Sequence, residues 1–174
     1  MRAHTVVAGI LVLATVALAS QQAHAGTEIG ADLDGALPVN SQGTLDGGGG
    51  FGIRLGQQIH LPALRLTPEV DYGYMHLFGA NGWPDVTTHR IEGGLRLGVG
   101  ELLVPFAFLH AGYGWRVSSA PVTGGGGFAI DTGVGLDLTL GPLSVGGHVG
   151  YASIAVDPND PKWVILGLDG AIVF

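Results

Sequence analysis

Along most of the chain, water-avoiding side chains alternate with glycine, alanine and charged residues at a period of two. Gly49, Phe51, Ile53 and Leu55 alternate with Gly50, Gly52, Arg54 and Gly56. Leu64, Leu66, Pro68, Val70, Tyr72 and Tyr74 alternate with Arg65, Thr67, Glu69, Asp71 and Gly73. Ile91, Gly93, Leu95 and Leu97 alternate with Arg90, Glu92, Gly94 and Arg96, and Ile130, Thr132, Val134, Leu136 and Leu138 with Asp131, Gly133, Gly135 and Asp137. In the last stretch Val164, Leu166, Leu168, Gly170, Ile172 and Phe174 alternate with Ile165, Gly167, Asp169 and Ala171. Successive strand side chains point to opposite faces, so this period predicts strands.

The predicted segments are Thr27–Leu37, Asp46–Gln57, Ala63–Leu77, Thr87–Gly98, Leu103–Val117, Phe128–Leu140, Leu143–Ser153 and Trp163–Phe174. Each meets the ~9–11 residues that a tilted membrane strand needs. Helices are disfavoured because glycine recurs inside the segments, and each interior glycine costs a helix about 1 kcal/mol. In the fifth segment both faces are apolar. Val104, Phe106, Phe108 and His110 lie on one, and Pro105, Ala107, Leu109, Ala111, Tyr113 and Trp115 on the other, taken as the outer face.

The charges decide what the faces touch. A soluble sandwich also alternates, but its polar face meets water and carries lysine, glutamate and glutamine. Here the polar face is glycine, alanine and a few arginines and acids, which suits a cramped interior, with the uncharged face turned to lipid. The connections alternate in length. Those near Pro38–Leu45, Phe78–Val86, Ser118–Gly127 and Ile154–Lys162 are long, and those near Gln58–Pro62, Val99–Leu102 and Gly141-Pro142 are tight. Long outer loops, short periplasmic turns and an even strand number are the habit of outer-membrane barrels. The predicted fold is therefore all-β, an eight-stranded antiparallel up-and-down transmembrane β-barrel with both termini periplasmic.

Targeting agrees. Arg2, the apolar run Val6–Ala19 and Ala23-His24-Ala25 read as an export signal over residues 1–25, with the barrel over 26–174. That run is too short for a membrane helix, which needs ~20 residues. Without cysteine there is no lipid-anchored form and no disulfide framework. Past the signal, six basic side chains face fourteen acids, a net charge of −8. That balance argues against a nucleic-acid partner.

Residues Gly133 to Tyr151 and Trp163 to Phe174 resemble the penultimate hairpin and the final strand of the OmpA/OmpX-type outer-membrane β-barrel superfamily. The resemblance implies that the terminal strand is read by the barrel-assembly machinery during insertion. The sequence ends without the peptidoglycan-binding domain of full-length OmpA, so it implies no cell-wall tether. Outer-membrane lipid and lipopolysaccharide are the expected surroundings, and a monomer the expected state.

The candidate chemistry follows from the two faces. Arg54, Arg90 and Arg96 with Glu69, Glu92, Asp137 and Asp169 are expected to form a charge network inside the barrel, a structural plug. Tyr72, Tyr74, Tyr113, Trp115 and Tyr151 near the outer strand ends, and Phe174 at the inner end, are expected to form interface girdles. His76 and His89 flank the second outer loop without a third metal ligand, so neither a metal nor a cofactor is expected. A lipid-A hydrolase needs an outward histidine two residues from a serine and an acid behind it, but Ser153 has Tyr151 beside it and His148 falls on the inner face. The expected role is non-enzymatic, an envelope-stabilising barrel with a plugged interior and short surface loops. The alternative is a narrow porin-like channel or carrier for small or apolar solutes.

Overall fold

The computed structural model describes residues 25–39, 44–118, 124–156 and 160–174. But for Ala25, the export signal expected over residues 1–25 lies outside them. The strands are β1 (Ala25–Pro38), β2 (Leu45–Leu61), β3 (Leu64–Gly79), β4 (Val86–Val99), β5 (Leu103–Ser118), β6 (Gly125–Leu140), β7 (Leu143–Ile154) and β8 (Lys162–Val173). Each pairs antiparallel with the next, and β1 pairs with β8, closing the sheet into a barrel. Closure removes the unpaired edge that an open sheet would expose. Among the described residues no helix is long and apolar enough to cross a membrane.

Strand ends differ from the sequence reading by a few residues. β2 runs on to Leu61, so its connection to β3 shrinks to Pro62 and Ala63, with Ala63 at φ 64°. Proline followed by a residue at positive φ is the chemistry of a type II turn. Pro68 would remove a ladder donor from mid-strand. It lies where β2–β3 pairing skips from Gly56↔Glu69 to Ile59↔Leu66, so the gap in the ladder accommodates it.

Parity sorts the surface. Leu168 is 69% exposed, while Asp169 beside it is 6% exposed. Leu33, paired with Leu168, is equally outward, and Asp32, paired with Asp169, is inward. The exposed surface carries Ile29, Phe51, Ile53, Leu95, Leu109, Phe128, Val134 and Leu166, an apolar belt that only hydrocarbon suits. β5 turns its Leu109 and Tyr113 face outward and buries Val104, Phe106, Phe108 and His110.

The lumen is layered, which sequence reading did not foresee. At the end bearing the long connections it is filled by Met75, Leu77, Ile154, Trp163 and Ile165, all at or below 1% exposure, with Ala36, Ala129, Ala152 and Val156. The charged side chains occupy the middle. The plug is therefore part apolar, not the wholly polar filling that was expected.

Candidate functional site: the charged lumen

Inward positions on all eight strands bring the charges together, because the alternation leaves them nowhere else to point. Arg54 of β2 is the hub. It ion-pairs with Asp32, and its other nitrogens lie 3.6 Å from Glu28, 3.8 Å from Glu69 and 3.6 Å from Asp169. Arg96 of β4 lies 3.5 Å from Glu69, 3.7 Å from Asp137 and 3.8 Å from Asp169, with its guanidinium 4.2 Å from the centre of the Phe106 ring. Arg90 donates to Asp131 at 3.1 Å, lies 3.7 Å from Glu92, and stacks over Trp163 at 5.3 Å. Arginine suits these places because its planar fork serves several carboxylates and its face stacks on rings.

The structure thus places Arg54, Glu69, Arg90, Glu92, Arg96, Asp137 and Asp169 in one lumen. It adds partners that sequence reasoning left out. Glu28 accepts from Gln58 at 3.0 Å, His110 meets Glu69 at 2.8 Å, and His148 lies 3.3 Å from both Asp34 and Asp169. The β1 acids were readable, since Glu28, Asp32 and Asp34 share a parity against Ile29, Ala31 and Leu33. His110 was harder to assign, because both faces of β5 are apolar.

Asp32, His148 and Asp169 bring three possible ligand atoms within 4.8 Å of one another. Arg54 and the Asp34–His148 contact already engage that group. Beside it lies a cavity of about 30 Å³, lined by Asp32, Asp71, Arg90, His110, Asp131 and His148 among others. That is room for water and nothing organic.

The outer surface carries a ring cluster. Phe51 stacks on Tyr74 (5.3 Å between centroids), Tyr74 meets His89 edge-on, and His89 stacks on Trp115 at 5.1 Å. Tyr113 stacks beside Trp115. Tyr72 lies deeper than the sequence reading put it, mid-strand opposite Ile53 and Ile91, and its hydroxyl bonds His89 Nδ1 at 2.8 Å. That bond supplies the polar partner its depth withholds. Tyr151 lies near the loop end of β7 and Phe174 beyond β8 at the turn end, both exposed. His76 is occupied locally, 3.1 Å from Thr87 and 3.3 Å from Asp85.

No protein-family model matches the sequence, and no curated protein matches it. Solved structures do. Neisserial surface protein A (NspA) superposes with a TM-score of 0.65 at 14% identity, over 85% of this chain and 97% of that one. Ail, the attachment invasion locus protein of Yersinia pestis, gives 0.51 at 14% identity, over 88% of this chain and 100% of that one. The outer membrane enzyme PagL gives 0.49 at 22% identity, over 81% of this chain and 98% of that one. At these identities the likeness is one of fold. The chain has the architecture of the small eight-stranded outer-membrane barrels.

Proposed function

We propose that the protein is a non-enzymatic, non-conducting integral barrel of the bacterial outer membrane that reinforces the envelope and displays short loops. One observation carries this reading. Met75, Leu77, Ile154, Trp163 and Ile165 fill the loop end of the lumen with dry side chains, so a solute entering there meets packed hydrocarbon. Interiors packed in this way have few voids larger than water. The apolar belt supports residence in lipid, and the alternation of connection lengths supports periplasmic termini and outward loops.

Single-channel recording of the refolded protein in planar bilayers tests the reading. Silence at moderate voltage is the expected result. Steady ohmic openings would replace it with the narrow-channel reading.

A further inference from the structure

The two ends of the lumen are closed by different means. Met75, Leu77, Ile154, Trp163 and Ile165 seal the loop end with side chains at or below 1% exposure. At the turn end the closure is polar. Arg65, half-buried on β3, donates to the Thr139 hydroxyl of β6 at 3.3 Å. The strands β4 and β5 stand between β3 and β6 in the sheet, so this bond crosses the lumen as a bar. Thr67, 1% exposed, lies two positions further in on the same face of β3, and Ser144, 8% exposed, faces Thr139 across the β6–β7 pair.

The bar is held lightly. Arg54, Arg90 and Arg96 each lie beside two or more carboxylates. Arg65 forms no ion pair among the described residues, and its Nε is buried without a hydrogen-bond partner. One bond to a neutral hydroxyl therefore holds a long side chain that can rotate with no change of backbone. Behind the bar the charged middle is short of partners. Arg54 Nε, Arg90 Nε, Arg96 Nε and Asp131 Oδ1 are buried and lack a hydrogen-bond partner, and all four residues line the cavity of about 30 Å³. Buried polar groups of this kind are served by water, and the apolar end offers it no path. Water has to come in from the turn end.

We propose that Arg65 is a one-sided gate. With its bond to Thr139 formed the turn end is barred, and with that bond broken water reaches the charged middle from that end alone. A hydroxyl as the acceptor is what makes the bar movable, since a carboxylate at the same place would hold the guanidinium more firmly. In the orientation proposed above the gated end faces the periplasm. The charge network then exchanges with the periplasm and not with the outside, which goes beyond the plugged-barrel reading and agrees with a barrel that does not conduct.

The test is the rate at which a small cationic methanethiosulfonate reagent modifies single cysteines in the refolded full barrel in a nonionic detergent, the chain having no cysteine of its own. Thr67→Cys reports the space just behind the bar. Thr88→Cys, at a position 0% exposed and paired with Met75, reports the sealed end. Thr139→Val removes the acceptor and keeps its shape. It should speed modification of Thr67→Cys by about two- to tenfold, the equilibrium equivalent of one neutral hydrogen bond. Arg65→Ala should speed it further, and neither change should alter the slow rate at Thr88→Cys. Rates at Thr67→Cys that agree within about twofold across the three backgrounds would overturn the proposal. Equal acceleration at both cysteines would overturn it as well, because that marks a loosened barrel and not an opened gate. Should Thr67→Cys not fold, Ser144→Cys takes its place.

Discussion

Arg54 is 2% exposed and faces four carboxylates from three strands, Glu28 and Asp32 on β1, Glu69 on β3 and Asp169 on β8. No single pair there explains its place. The guanidinium is held by the sum of attractions in a poorly solvated interior, and each acid depends on it in turn. Breaking a buried ion pair by deleting one partner costs roughly 3–5 kcal/mol, because the other charge stays buried alone. Arg54→Met should therefore destabilise the barrel by about that amount in urea titrations in lipid vesicles, and adding Asp32→Asn should recover part of the loss. A loss below ~1 kcal/mol for the single variant would mean that water, not Arg54, serves these acids.

At the scale of the strand, what could be read in the chain and what could not have separate causes. Glu69, Asp71, Arg90, Glu92 and Asp137 revealed the inner face because a charge on the outer face would meet lipid. The apolar cap escaped notice because parity put Ile165 on the inner face with Asp169 but did not show that Met75, Leu77, Ile165 and Trp163 gather at one end of the lumen. Apolar residues fit a packed lumen end as well as they fit a bilayer. In β5 both faces are apolar, and the reading that set His110 on the inner face gave no sign of its 2.8 Å contact with Glu69. Tyr72 was misplaced in depth because parity fixes the side of a strand and not the height along it. The connections divide as their lengths suggested, with two residues between β2 and β3 against a stretch of six between β3 and β4. The orientation proposed above follows from that difference and can be tested by labelling. The chain has no cysteine of its own, so Trp83→Cys in the β3–β4 loop should react with a membrane-impermeant maleimide on intact cells, and Glu101→Cys in the β4–β5 turn only after permeabilisation. Labelling of Glu101→Cys on intact cells would place the short turns outside and reverse the barrel.

For the whole molecule, one sheet closed on itself separates two environments. Hydrocarbon lies against Leu33, Leu166 and Leu168, and a packed interior changes from apolar at the loop end to ionic in the middle. Backbone hydrogen bonding leaves lipid-spanning strands no other stable arrangement. The tryptophans report on both sides of that wall. Trp115 stacks with His89 and Tyr113 on the outer surface, and Trp163 lies fully buried in the lumen over Arg90. Fluorescence quenching by lipids brominated on their acyl chains, in variants keeping one tryptophan and replacing the others with phenylalanine, tests the inside-out sorting most directly. The barrel described above requires strong quenching of Trp115 and of a tryptophan introduced by Leu168→Trp, with Trp163 protected. Quenching of Trp163 as strong as that of Trp115 would contradict it.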